Sequence, residues 1–156
     1  MNDSLNLIVP KINYIDIGLM EKMCHPIAVA IFDTKEDPIA KFNEYEFALL
    51  DSALNNSKQT FGGQELYPNL VSKAAILYYT IVKNHPFKNG NKRIATASLL
   101  IFLFINDFWL EGDRKSVEDY LVNLAQNVAN TKGDEGKDTI LKNLENWLKQ
   151  HIKKGR

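Results

Sequence analysis

"KNHPFKNGNKRIATASLL", residues 83–100, sets a polar, amide-rich turn against a long apolar run, and its reading decides the fold. Upstream of it, Leu70, Ala74, Leu77 or Tyr78, and Ile81 recur at helical spacing and predict a helix running to about Lys83. Downstream, the residues after Arg93 are apolar nearly all round, as in a helix at the centre of a helical domain. The turn therefore joins two helices and sits at the N-terminus of the second. Unpaired backbone N–H groups there point outward and carry partial positive charge.

The side chains of the turn suit that position. Gly90 permits positive φ and close approach by a ligand. Asn91 offers amide donors. Lys92 and Arg93 add two cations, and Arg can grip phosphate with two parallel bonds. Together they make an anion site suited to a polyphosphate. His85 adds a base whose unperturbed pKa lies close to neutral, able to take the proton of an incoming hydroxyl. Pro86 is expected to hold the His85 backbone extended, and Phe87 to turn inward and fasten the loop. A base and an anion hole are the minimum equipment for moving a phosphoryl or nucleotidyl group to a hydroxyl. Any one of these residues alone reads as an ordinary turn residue satisfying backbone groups; the constellation points to chemistry. "GNKR" lacks the G-x-x-x-x-G-K-[ST] spacing of a Walker A loop and follows no strand signal. Cys24-His25 has no second pair at zinc-ligand spacing.

Working outward, Asn43 with Glu46 has the capping-box pattern, and Phe47, Leu50 and Leu54 line the helix that follows, ending in "NNSK". "QTFGGQELYP" pairs two glycines beside an aromatic and predicts a turn or small hairpin closed by Pro68. Ser116 with Asp119 resembles another capping box, ahead of a face formed by Tyr120, Leu121, Leu124 and Val128. "NTKGDEGKD" reads as a polar loop, and Asp138 as the cap of a last helix whose end, "KQHIKKGR", is solvated. Within residues 1–42, "IAVAIF" fits a short strand or a buried helix turn.

The chain has 156 residues, 45% of them apolar, which suits one domain with one sizeable core. Lys plus Arg balance Asp plus Glu at 19 each, which argues against sequence-independent nucleic-acid binding. The single cysteine, Cys24, cannot form an internal disulfide and fits a reducing, cytoplasmic setting as a buried thiol. "MNDSLNLIVPK" lacks the pattern of a signal peptide. The apolar stretch Ile94 to Leu110 is interrupted by Thr96, Ser98, Asn106 and Asp107 and is too short for a bilayer, so no membrane association is expected. Sequons at Asn2 and Asn55 carry little meaning in a chain that is not secreted.

"HPFKNGNKR" resembles the signature of the Fic/Doc family, His-x-Phe-x-(Asp/Glu/Asn)-(Gly/Ala)-Asn-(Gly/Lys)-Arg. The likeness extends over roughly residues 45–110, and "LLDSALNNSKQTFGGQELYPNLVSKAAILYYTIVKNHPF" is similar to the death-on-curing branch, whose members are often phage- or plasmid-borne toxins. The resemblance implies an all-α Fic/Doc-type domain over residues 1–156. Residues 1–42 would be an N-terminal extension, about 45–110 the motif-bearing core, and 111–156 the C-terminal helices. It implies transfer from ATP or another nucleotide to a Ser, Thr or Tyr hydroxyl of a protein. His85 would be the general base, Phe87 the loop anchor and position 89 the magnesium position. Gly90 and Asn91 would belong to the anion hole, and Arg93 would hold phosphate. A β-hairpin flap that aligns the target would comprise Thr60, Phe61, Gly62 and Gly63.

Two letters depart from the commonest family pattern. Lys92 stands where AMP-transferring members usually have Gly. Lys is typical of the death-on-curing branch, where it accompanies an inverted nucleotide and γ-phosphoryl transfer to a translation factor, although the branch's type member has Ala where this chain has Gly90. Asn89 stands where most members have Asp or Glu; its carbonyl oxygen remains a hard ligand without charge, so magnesium binding is expected to be weak or nucleotide-dependent. The leading expectation is phosphoryl transfer; AMP transfer and a catalytically weak binding module are the alternatives. "TKGDEG", Thr131 to Gly136, fits the family's inhibitory string (Ser/Thr)-x-x-x-Glu-(Gly/Asn). Gly133 is a poor helix-interior residue, so control by a separate antitoxin protein is expected instead.

Overall fold

The computed structural model describes residues 11–155 and builds their regular structure mainly from helices. α1 (Ile17–Leu19) runs through a π-helical turn (Met20–Cys24) into α2 (His25–Phe32). α3 (Phe47–Asn55) closes in a 3-10 turn (Asn56–Lys58), followed by β1 (Thr60–Phe61) and β2 (Gln64–Glu65). α4 (Leu70–Asn84) and α5 (Asn91–Ile105) flank the motif; β3 (Phe108–Leu110), α6 (Arg114–Asn130), α7 (Gly133–His151) and β4 (Ile152–Lys154) complete the chain. This is the all-α architecture expected, with the small hairpin in place.

α4 and α5 form the centre because their sequences leave almost no polar face. Every residue from Leu70 to Val82 is buried. Such burial contributes about 1.5–3 kcal/mol for each large aliphatic side chain. The polar residues that go inside are bonded: Ser98 Oγ donates to Ile94 O at 2.7 Å, and Tyr78 OH to Leu121 O at 2.7 Å. Pro68 and Asn69 start α4. Asn69 Oδ1 accepts from Ser72 N at 2.9 Å, and Asn69 N donates to Ser72 Oγ at 3.2 Å, a reciprocal cap. With α4 and α5 packed side by side, residues 85–90 are held at one end of the core.

Several boundaries differ from the sequence reading. "IAVAIF" is helical, within α2. α3 starts at Phe47, and Asn43 does not cap it, because residues 45–46 are drawn to the motif loop. There Tyr45 bridges Phe87 antiparallel, and Glu46 N donates to Pro86 O at 2.9 Å. Asp113, not Ser116, caps α6; it accepts from Ser116 N at 3.1 Å. α7 already begins at Gly133, so Asp138 lies inside it and the loop shrinks to Thr131 and Lys132. Asp134 and Glu135 occupy its first turn, where negative charge suits the helix dipole.

The tail is not a solvated helix end. α7 stops at His151, and Ile152, Lys153 and Lys154 pair antiparallel with Leu110, Trp109 and Phe108. Phe108 and Leu110 are buried while Trp109 faces out, the period-2 alternation of a strand. The sequon at Asn2 and the first ten residues read for a leader lie outside the described residues. Among the described residues, no helix is long and apolar enough to cross a membrane.

Candidate functional site

His85 closes α4, its N–H donating to Ile81 O at 3.2 Å, with φ 55° and ψ 53°. This left-handed conformation, not the extended one expected before Pro86, turns the chain sharply off the helix. It costs a non-glycine residue about 1–2 kcal/mol, a strain of the kind that collects at functional sites. The imidazole is exposed, and among the described residues neither ring nitrogen has a hydrogen-bond partner. The other two histidines are committed: His25 Nε2 lies 2.6 Å from Ala40 O, and His151 Nδ1 lies 2.8 Å from Trp147 O. Each of those two is held through one ring nitrogen, whereas His85 has neither ring nitrogen held among the described residues.

Phe87 is 1% exposed and packs among His25, Phe42 and Tyr45, with ring centroids 5.9–6.1 Å away. Asn91, also buried, holds the loop shut from the other side. Its Oδ1 accepts from Phe87 N and its Nδ2 donates to Phe87 O, both at 2.8 Å. The Asn91 amide expected to face an anion is therefore spent on the loop backbone. What the residue has left is its own N–H. Ile94 N makes the bond to Gly90 O at 2.9 Å that opens the α5 ladder, so the N–H groups of residues 91–93 precede it and have no partner within the helix.

Gly90 is required by geometry on two counts. Its φ is +79°, and an added Cβ would lie 3.0 Å from Ile39 Cγ2. The close approach expected of a ligand is made here by Ile39. Lys92 Nζ donates to Gln126 Oε1 at 2.9 Å. Arg93 Nη1 donates to Asp37 O at 2.6 Å and Phe32 O at 3.3 Å, while Nη2 lies 3.3 Å from Asp37 Oδ2. Asp37 is the acid that meets Arg93. Nothing in "TKEDP" distinguishes it in sequence from an ordinary charged turn.

Asn89 Oδ1 is buried and has no hydrogen-bond partner among the described residues. An orphaned neutral carbonyl oxygen is costly unless something binds it, and it is a fit donor for a hard cation. Among the described residues no group of three or more His, Cys, Asp or Glu could hold a metal. The donor set therefore fits a cation carried in on phosphate oxygens, with Asn89 adding one ligand.

Thr60 and Phe61 pair with Glu65 and Gln64 across Gly62-Gly63. Both glycines have positive φ, 61° and 82°, as a two-residue type I′ turn requires. An added Cβ would meet nothing within 4 Å at either, so conformation and not space selects glycine. All four strand residues are exposed, Phe61 to 79%. The hairpin joins the core through Lys73 of α4, whose Nζ donates to Glu65 Oε1 at 2.7 Å.

Toxin Doc of Mycolicibacterium smegmatis (strain ATCC 700084 / mc(2)155) is 40% identical over 68 residues, which are 44% of this chain and 52% of the relative. The chain thus spans about half the length of that relative. No solved structure matches. The Fic/DOC family matches residues 19–103, from the π-helical turn through the hairpin and motif to the last turns of α5, and the chain belongs to that family.

Proposed function

We propose that this chain is a toxin-type transferase that moves the γ-phosphoryl group of ATP or another nucleotide to a Ser, Thr or Tyr hydroxyl of a protein, a translation factor being the target class. The observation that carries the reading is His85, with an uncommitted ring on a strained helix end five residues before the Gly90 cap of α5. The name of the relative, Toxin Doc, supports the toxin assignment. It also supports a partner, a separate antitoxin protein that restrains the enzyme.

A His85 ring nitrogen takes the hydroxyl proton as the hydroxyl oxygen bonds the γ-phosphorus. The bond from that phosphorus to its bridging oxygen breaks, and the nucleoside diphosphate leaves with the oxygen. The N–H groups of residues 91–93 receive phosphate oxygens, with Lys92 beside them. Arg93 joins them once it releases Asp37. Magnesium bound with the nucleotide would neutralise phosphate charge, with Asn89 Oδ1 as its protein ligand.

The test is a cell lysate incubated with the protein and ATP labelled in the γ or the α position. Phosphoryl transfer incorporates γ-label and adds about 80 Da to the target, whereas AMP transfer incorporates α-label and adds about 329 Da. His85→Asn tolerates the left-handed backbone and is expected to keep the fold while losing labelling by at least about 100-fold. A variant that labels as well as the parent would refute the general-base role.

A further inference from the structure

The hairpin is attached to the helical core by a charge placed where charge is costly. Lys73 is 1% exposed on α4. Its ammonium donates to Glu65 Oε1 on β2 at 2.7 Å and to Ser57 O at 3.0 Å, and lies 5.5 Å from the Tyr14 ring centroid. Lys58 Nζ approaches the same ring at 4.8 Å. Glu65 is 47% exposed and is the anion for this buried cation. The strand residues make no apolar anchorage, since all four are exposed. Below Glu65 the hairpin is closed by Leu66 N donating to Gln59 O at 2.9 Å.

A buried ion pair is a poor stabiliser compared with well-packed apolar residues of similar volume, and its partner, once orphaned, is strongly unfavourable. Glu65, being 47% exposed, can be hydrated when Lys73 is replaced, so a methionine at position 73 would cost the fold little beyond the bond to Ser57 O. What the lysine adds is a fixed point: the buried ammonium is held by Ser57 O as well, so the place where Glu65 Oε1 can meet it sets where β2 leaves the core. We propose that Lys73 is a positioning residue for the transfer, setting through Glu65 the attitude of the hairpin and hence of a target segment laid along its edge. This rests on the reading of the hairpin as the target-holding element. His85 and the phosphate cradle lie on another loop, so the pair governs target engagement and leaves nucleotide binding alone.

The test compares the full-length parent with Glu65→Gln, Lys73→Met and Glu65→Asp, using γ-labelled ATP and cell lysate as the source of target. Initial labelling rates are measured against lysate concentration and, separately, against ATP concentration. The expected result for Glu65→Gln and Lys73→Met is at least a fivefold rise in the half-saturating lysate concentration. The half-saturating ATP concentration changes less than twofold, and amide exchange is faster at Leu66. Glu65→Asp, which restores the charge, recovers much of the loss. If Lys73→Met does not fold, Glu65→Gln carries the comparison. Unchanged lysate dependence, or a parallel loss in ATP dependence, would overturn the inference while the transferase reading stands. A parent that incorporates neither γ- nor α-label overturns the transferase reading, and the inference falls with it.

Discussion

Asn91→Ala tests whether the motif asparagine is a clamp or a ligand donor. The side chain makes two 2.8 Å bonds to the N–H and C=O of Phe87, a residue 1% exposed. Removing it orphans both groups. Each buried orphan costs about 1–3 kcal/mol, so a rigid loop would lose about 2–6 kcal/mol. The loop has another route: Phe87 can leave the aromatic cluster and let water reach its backbone, at the cost of its own burial, about 1.5–3 kcal/mol. The cheaper route bounds the effect, so the expected loss is about 1.5–3 kcal/mol. That is a large share of the ~5–15 kcal/mol typical of a domain. In a domain of this size it lowers Tm by about 3–12 °C. Urea unfolding of parent and variant measures the loss, and amide exchange at Phe87 reports whether the loop has opened. A loss below about 1 kcal/mol with Phe87 still protected would refute the clamp.

Three further outcomes follow from the same contacts. Asp37→Asn removes the carboxylate 3.3 Å from Arg93 Nη2; because Asp37 is exposed, ATP affinity should rise only about two- to fivefold, the range of surface ion pairs, and less at high salt, as read by calorimetry. Asn89→Asp puts a charge on the orphaned oxygen; at about 4 Å and an effective dielectric near 20 each unit-charge contact is worth roughly 4 kcal/mol before desolvation, so magnesium should bind the nucleotide-free variant at least about tenfold more tightly than the parent. Burial pushes the Cys24 thiol from 9.0 up to about 12, against a weaker opposing hydrogen bond from Ser98. Its folded pKa lies above its unfolded one, so its contribution to stability is complete below pH 9 and is lost as pH rises toward 12, at about 1.4 kcal/mol per pH unit. Burial raises Tyr78 in the same direction, and Cys24→Ala should flatten the fall in urea midpoint above pH 9 by the share of one proton.

The parts of the molecule written locally were legible. α4 and α5 follow from apolar periodicity, and the hairpin from a Gly-Gly pair whose positive φ no other residue supplies so readily. Phe87 was readable as an inward anchor because a large aromatic in a polar turn has few other places to go. Asn43, Ser116 and Asp138 are plausible caps by composition, yet each helix starts elsewhere. The Tyr45 bridge to Phe87 displaced the start of α3, a nearby acid, Asp113, took the cap of α6, and α7 begins at Gly133 without a side-chain cap. Ile152–Lys154 looked like a fraying end because its partner strand lies more than 40 residues earlier. His85 was expected to be extended before Pro86, but the end of a buried helix forced the turn at that residue.

The contacts that shape the motif loop come from residues 37–46, about 50 positions before the motif. Ile39 covers Gly90, Asp37 meets Arg93, and Tyr45 and Glu46 pair with the loop backbone. This placement bears on the missing carboxylate at position 89. With asparagine there, the acid found against the motif's arginine is Asp37, and it sits on an exposed turn. On the proposed reading, an incoming polyphosphate would meet backbone N–H groups and Lys92 without a fixed anion inside the loop, so its binding would depend on metal less than with an acid at 89. Magnesium bound with the nucleotide would find one neutral ligand in Asn89 Oδ1. The neutral letter at 89 and the ion pair at 93 would then act on the same balance, because both set how much negative charge the loop presents to a phosphate.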